Sequence, residues 1–457
     1  MSGQLPDLGL YTLLISGVFF PLHERLKNHD SVAVRTQMEV SQWWHAERLR
    51  ELQLSRLSQL LAHAQAYVPY YRGLFAEMGF NAEDIHSLAD LARLPFLDKF
   101  KIRANIEALK SEHARCLARF NTGGSSGDPL IFYIGKERVS HDVAAKWRAT
   151  RWWGVDIGDP EIVIWGSPIE LGSQDVVRAL RDRLFRTRLL SAFEMSKQKL
   201  DKFLDEICTI RPKMLFGYPS ALAHIARHAD AKGQHMDGLG IRVAFVTSER
   251  LYDEQRRQIS KTFGCPVANG YGGRDAGFIA HECRDGGMHI TAEDIVVEIV
   301  DPQGVPLLPG EAGEIVVTHL ATRDFPFIRY RTGDIGVLDS KPCTCGRGLP
   351  LLKEIQGRNT DFLVARNGTV MHGLALIYIL RDLPRIRAFK IIQESLDFTR
   401  VWVVSDDGLN PELVEKIERG FKARLGQGVK IDVEEVAEIP PEKSGKFRYV
   451  VSKVATA

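Results

Sequence analysis

The sequence predicts an α/β body followed by a small α+β tail, and three observations carry that expectation. Between Glu161 and Phe263 short apolar runs alternate with helical stretches, the pattern of strands and helices layered on a sheet. Three runs end in small or polar clusters: Gly217-Tyr218-Pro219-Ser220, Thr247-Ser248-Glu249 and Asn269-Gly270-Tyr271-Gly272-Gly273. Such clusters suit ligand-binding loops at the ends of sheet strands. From Asp294 the style turns to β, and beyond residue 361 roughly 100 residues remain, enough for a small domain.

Bulk properties exclude several classes. The 457 residues are 44% hydrophobic and 26% charged, with a formal charge of +2, an ordinary globular composition. That balance gives no reason to expect nucleic acid or an anionic membrane as partner. Six cysteines in a chain of this length are no disulfide framework, so a reducing, cytoplasmic location is expected. Leu8 to Leu22 is apolar but contains Gly and Pro, is short of the roughly 20 residues that span a bilayer, and lacks a basic leader. It is expected to be a helix packed on the body, with weak membrane-surface association as the lesser alternative.

In chain order, residues 40–78 carry Leu49, Leu52, Leu54, Leu57, Leu60 and Leu61 at helical spacing. Trp43 and Trp44 are expected to pack this arm down, and Tyr67, Tyr70 and Tyr71 to anchor a turn at Pro69. Strands are predicted at 161–165, 213–216 and 243–246, with helices at 197–210 and 251–263. Further strands are predicted at 295–300, 313–318 and 335–338. The tail reads as strands near 387–392, 399–404 and 430–436 and a helix near 411–424. Cys116, Cys208 and Cys265 read as isolated, buried residues, with Cys265 also a candidate reactive thiol.

Residues 121–130, Asn-Thr-Gly-Gly-Ser-Ser-Gly-Asp-Pro-Leu, are dense in glycine and hydroxyl side chains. Such a loop can aim several N–H groups at one anion. The apolar run that follows places it between two strands. Gly127 precedes Asp128, not the Lys-Ser/Thr of a Walker loop, and a plain surface turn is the alternative. Arg329-Tyr330-Arg331-Thr332-Gly333-Asp334 reads as a charge-dense turn whose aspartate either accepts from ribose hydroxyls or pairs with its own arginines. Ser444-Gly445-Lys446 offers one mobile ammonium suited to a developing negative charge, with a solvated tail lysine as the plainer alternative. Cys283 and His289, with Cys343 and Cys345, have the donor types of a closed tetrahedral zinc shell. His281 is an alternative to His289, and four unligated residues on two loops are the plainer alternative.

Taken in order, these motifs resemble those of the adenylate-forming ligases, most closely the branch of phenylacetate-CoA ligases, coenzyme F390 synthetases and CapK-type proteins. The similarity runs along nearly the whole chain, including Val68-Pro69-Tyr70-Tyr71-Arg72. It implies a large N-terminal adenylate-forming domain, with a helical arm at 1–78 and a body at 79–357, and a small mobile α+β C-terminal domain at 358–457. It implies that Thr122, Gly123, Gly124, Ser125, Ser126 and Gly127 hold the β- and γ-phosphates of ATP. Ser248, Glu249, Asn269, Gly270, Tyr271 and Gly272 would line the adenine site, and Gly217-Tyr218-Pro219 the acyl pocket. Asp334 would hold the ribose, Arg358 would lie near ribose and phosphates, and Lys446 would stabilise the adenylation transition state.

Two departures accompany the resemblance. The Mg²⁺ carboxylate falls on Asp275, where the family usually has the longer Glu, and Asp128 stands where the phosphate loop commonly has lysine. The implied activity is AMP-forming activation of a carboxylic acid, aryl or arylacetic by family habit, with CoA as acceptor. Alternatives are an amine, sugar or cofactor acceptor, or a non-catalytic nucleotide-binding protein. ATP, Mg²⁺, CoA and a structural Zn²⁺ are the implied small partners, and a homodimer is allowed.

Overall fold

The computed structural model describes residues 9–121, 130–166, 176–192, 195–355, 362–381, 383, 386–405, 408–439 and 450–454. The chain divides into a first unit of residues 1–122, 130–158 and 268–357 and a second of 123–129, 159–267 and 358–457. No described helix is long and apolar enough to cross a membrane.

In the first unit the helical arm is Ala46–Tyr67 followed by Pro69–Met78. Pro69 opens the second helix, where its missing N–H removes no intrahelical bond. Leu49, Leu57, Leu60 and Leu61 are buried, and the Tyr71 hydroxyl donates to the Pro326 carbonyl at 3.3 Å. Trp43 departs from expectation: it is exposed, with the Arg347 guanidinium 4.8 Å over its ring. A polar residue covers it where a core was expected. Cys116 is likewise exposed, on a turn with φ of 56°.

The sheet of this unit runs Ile295–Val300, Ala312–His319, Phe327–Leu338, Leu351–Ile355, Met288–Ile290, Gly277–Glu282, Val267–Gly273, all antiparallel neighbours. The turn expected at 329–334 is instead the middle of the long strand Phe327–Leu338. Register shifts against Ala312–His319 and a positive φ of 49° at Arg329 mark a bulge there, which re-aims side chains without ending the strand. The buried Arg329 guanidinium meets Glu298 at 2.9 Å and the Leu94 carbonyl at 2.6 Å. Arg331 pairs with Glu314. Both arginines therefore have partners other than Asp334.

Behind this sheet the helix Lys136–Trp152 carries two buried charge networks. Arg148 donates to Glu293 at 2.6 Å, and Ser41 Oγ donates to the same oxygen at 2.6 Å. Asp294 meets His141 at 2.6 Å and Arg56 at 2.9 Å. Burial would raise the Asp294 carboxyl, but His141 and Arg56 outweigh it and hold it at about 2. A carboxylate depressed in the folded state stabilises above its unfolded value near 4, and that contribution fades as pH falls towards 2. Asp294→Asn should therefore flatten the loss of urea resistance between about pH 4 and about pH 2. An unchanged acid slope would exclude Asp294 as its source.

In the second unit Thr187–Ser191, Glu161–Trp165, Met214–Gly217 and Val243–Thr247 are parallel neighbours in that order. The helices Lys197–Ile210, Pro219–Ala231 and Asp253–Phe263 accompany them. Leu200, Phe203, Leu204 and Ile207 form the buried stripe of the first, which is why its limits were readable. Cys265 lies in this core, where burial pushes its thiol up to about 12. A thiol so held is not a nucleophile at neutral pH. Cys208 is half-buried.

The tail has its own core, including Leu376, Phe389, Ile391, Val401, Val403 and Phe421. Its strands order as Lys430–Glu435, Phe398–Ser405, Ile386–Ser395, Val450–Ser452, with the helix Pro411–Leu425 where one was expected. The helix Leu374–Arg381 and the strand Val450–Ser452 were not foreseen. The first is apolar nearly all round, so it lacks a readable stripe.

Candidate active site and metal centre

Ala118–Asn121 and Ile131–Ile134 form an antiparallel pair whose last register partners are Asn121 and Ile131. The Gly/Ser segment lies in sequence between these two paired strands. Thr122, Gly123, Gly124, Ser125, Ser126 and Gly127 themselves lie outside the described residues, as do Arg358 and Lys446.

In the first unit two aspartates are each held by a tyrosine. Tyr271 Oη donates to Asp334 Oδ2 at 3.0 Å, and Tyr330 Oη donates to Asp275 Oδ2 at 2.6 Å. Tyr271 sits on the first strand of the hairpin Val267–Gly273/Gly277–Glu282 and Asp275 in its turn, while Tyr330 and Asp334 sit on the strand Phe327–Leu338. A bulge separates Tyr271 from Gly272. A Cβ on Gly272 would come 2.2 Å from the Gly277 carbonyl, so the hairpin closes only with glycine there.

The Asp275 carboxylate also caps the Ala276 N–H at 3.1 Å, while Arg138 donates to the carbonyls of Arg274 and Asp275, each at 3.2 Å. One step further back, Asn269 N–H donates to Glu282 Oε2 at 2.7 Å, and Gly270 is buried. Tyr330, Arg138 and Glu282 were not singled out from sequence. Only for Tyr330 was there a signal, its place inside the Arg-Tyr-Arg-Thr-Gly-Asp motif.

In the second unit Ser248 follows the strand Val243–Thr247, exposed and with φ of 71°. Glu249 turns to the first turn of Pro219–Ala231, accepting from the Ser220 hydroxyl and from Ser220 N–H at 3.4 Å. A carboxylate there complements the positive end of the helix. Trp165 stacks on Tyr218 with centroids 4.4 Å apart, and Phe216 on Phe245 at 5.9 Å. Burial pushes the Tyr218 phenol up, and the nearby Glu249 adds to this.

The two cysteine pairs converge. Ligand atoms of Cys283, His289, Cys343 and Cys345 all lie within 4.8 Å of one another. Cys283 Sγ is 3.6 Å from Cys343 Sγ, and Cys345 Sγ is 3.2 Å from His289 Nε2. The turn Cys283–Gly287 and its strand Met288–Ile290 present the first pair. A Cβ on Gly287 would stand 2.6 Å from Cys343 Sγ. His281 is not one of the gathered four. It stacks on Phe278, 5.5 Å between centroids.

Burial drives the His289 imidazole down to about 4, helped by Arg347, so it is neutral and able to ligate at pH 7. Burial also raises the Cys283 thiol to about 12. At Cys345 burial is outweighed by hydrogen bonds from Arg347, which lower its thiol. Three sulfurs and a neutral imidazole at this spacing fit one divalent ion, whose charge would stabilise the thiolates.

Family models match two parts of the chain, one described as an AMP-binding enzyme over residues 189–321 and one as the CapK C-terminal domain over residues 363–453. The chain is 24% identical over 420 residues to protein CapK of Staphylococcus aureus, covering 91% of this chain and 92% of that protein. It is 26% identical over 440 residues to the phenylacetate-coenzyme A ligase of Thermus thermophilus, covering 89% and 96%. Among solved structures, a 2-hydroxyisobutyryl-CoA ligase with its acyl-adenylate and CoA shares the fold. The TM-score is 0.62 at 22% identity, over 89% of this chain and 90% of that one.

Proposed function

The chain belongs to the adenylate-forming superfamily, in the branch of the phenylacetate-CoA ligases and CapK, and from that premise we propose that it is an AMP-forming ligase joining a carboxylic acid to CoA. The observation that carries the site assignment is the pair of tyrosine-held carboxylates, Tyr271–Asp334 and Tyr330–Asp275. They link two motifs about 60 positions apart in sequence and fix both acidic side chains in one unit, which is the preorganisation that a nucleotide and metal site requires.

In the first half-reaction a substrate carboxylate oxygen attacks the α-phosphorus of ATP. The bond to the bridging oxygen breaks and pyrophosphate leaves, giving an acyl-adenylate. Asp334 accepts the ribose hydroxyls, oriented by the Tyr271 hydroxyl. Asn269 to Gly272 and Ser248 line the base, and Glu249 orders the strand end on which Ser248 sits. The Gly/Ser segment Thr122 to Gly127 receives the β- and γ-phosphates, Arg358 lies by the ribose and phosphates, and Lys446 meets the charge that develops on the transferring oxygens. In the second half-reaction the CoA thiolate attacks the acyl carbon and AMP departs. Residues 358–457 act as the lid that exchanges the two acceptor geometries.

Asp275 retains lone pairs beyond those used by Tyr330 and Ala276, so it suits the Mg²⁺ that would offset phosphate charge. Tyr330→Phe is expected to raise the Mg²⁺ concentration for half-maximal activity by about tenfold, the usual scale for losing a group that orients a metal ligand. An unchanged Mg²⁺ dependence would remove Asp275 from that role.

Cys283, His289, Cys343 and Cys345 hold a structural zinc ion. Protein purified without chelators should contain stoichiometric zinc by elemental analysis, and Cys343→Ser should lower both zinc content and thermal stability. Zinc-free wild-type protein would count against the ion.

The acid is an aryl or arylacetic acid by similarity to the phenylacetate-CoA ligases, and the aromatic cluster of Trp165, Phe216, Tyr218 and Phe245 supports an apolar acyl pocket. A second reading keeps adenylation and changes the acceptor to an amine, sugar or cofactor group, as the resemblance to CapK-type proteins and coenzyme F390 synthetases implies. Pyrophosphate release over a panel of acids, with CoA and then with amines or sugars, separates the two. Release that no acid elicits would sink both.

A further inference from the structure

Leu10–Leu14, a π-helical turn at Ile15–Phe19 and Phe20–Leu26 follow one another without a break. Four residues of this helix face inward and are buried: Thr12, Ile15, Phe20 and Glu24. Their steps are three, five and four residues, and the five-residue step spans the wider π turn, which keeps all four on one side. Each of the last three is fixed. Ile15 sits where a Cβ on Gly158 (φ 96°) would come within 2.7 Å. Phe20 meets Trp147 edge-on at 4.9 Å. Glu24 accepts from Ser31 Oγ at 2.5 Å and approaches His23 and His29 at 3.1 and 3.2 Å.

The helix cannot roll without breaking these contacts, and its opposite side is apolar. Leu10 and Leu26 are 86% and 77% exposed, and Leu13, Leu14, Val18, Phe19 and Leu22 between them are also exposed. A surface helix ordinarily turns its polar side to water. Here the carboxylate is inside and the leucines are outside. Seven large apolar side chains on one face are more than isolated surface residues explain.

Charge says what covers them. Between Gly9 and His29 the one carboxylate is the buried Glu24, while Arg25 and Lys27 are exposed at the end of the apolar face. A second copy of this helix would bring no acid to those cations. Anionic phosphate headgroups would, above an acyl region that accepts the leucines. The segment is about 25 Å long at 1.5 Å per residue, suited to lying in an interface. We propose that the Leu10–Leu26 face docks the protein on an anionic bilayer surface. The net charge of +2 is spread over the whole chain and hides this local complement.

The test is vesicle flotation of the full-length protein, with phosphatidylcholine alone and with equimolar phosphatidylcholine and phosphatidylglycerol. Wild type should float with the anionic vesicles. Leu13→Glu combined with Val18→Glu should lower the bound fraction about tenfold or more. Arg25→Glu with Lys27→Glu should remove the preference for anionic vesicles and its salt sensitivity. These side chains point to water and lie outside the proposed active site, so circular dichroism and pyrophosphate release should match wild type. The proposal is overturned if wild type floats with neither vesicle, or if the Leu13/Val18 variant binds as well as wild type. It is also overturned if wild type forms a dimer in vesicle-free solution that the same variant dissolves, which would make a second copy the occupant.

Discussion

Lys446→Ala is expected to lower carboxylate-dependent pyrophosphate release by on the order of 10²–10³, with ATP affinity and the melting temperature little changed. That is the scale for removing one group that meets charge developing in the transition state. The loss should fall on kcat, because the ammonium is assigned to the transition state and not to the bound nucleotide. Thioester formation from a supplied acyl-adenylate should be spared, since no α-phosphorus is attacked in that step. Pyrophosphate release at the wild-type rate would withdraw the role from Lys446 while leaving the family intact.

Arg148→Ala should be the most damaging single change to the fold of the first unit. Arg148 and Glu293 are almost wholly buried and meet at 2.6 Å. Truncating one leaves the other as an uncompensated buried charge, which costs about 3–5 kcal/mol. The urea midpoint should fall accordingly. Combining Arg148→Met with Glu293→Leu should recover most of the loss, because it is the orphaned carboxylate that destabilises and apolar replacements of a buried pair are commonly tolerated. A double variant no more stable than Arg148→Ala would show that the pair's geometry matters more than its charge.

What could be read from sequence was local. The helix Lys197–Ile210 and the strands Glu161–Trp165 and Ile295–Val300 have the predicted limits, because each carries its own period and its own punctuation. Residues 329–334 were misread as a turn because nothing nearby in sequence satisfies two arginines. Their partners Glu298 and Glu314 come from two other strands of the sheet, Ile295–Val300 and Ala312–His319, and once paired the charges sit comfortably within a strand. Trp43 and Cys116 were expected inside on residue type alone, yet neither has a core to enter. The four zinc-type donors were legible as two pairs, but their meeting within 4.8 Å depends on the strands Met288–Ile290 and Leu351–Ile355 being neighbours. Tyr330 was quoted within its motif, while its grip on Asp275 required the fold.

The segment that carries Cys343 and Cys345 goes on to Arg347 and Gly348, and both are fastened to the N-terminal helices. Gly348 N–H donates to the Gln42 carbonyl at 2.9 Å and Arg347 Nε donates to Gln42 Oε1 at 3.0 Å. The Arg347 guanidinium also lies 4.8 Å from the Trp43 ring and 4.5 Å from that of Trp152. The cysteine loop is therefore a rivet through three parts of the chain, and the ion proposed for it would be the head of that rivet. Stripping the ion would leave the strands paired through their own hydrogen bonds. The loosening would begin at Gln42 and Trp43, just before the long helix Ala46–Tyr67 of the arm, far along the chain from any cysteine.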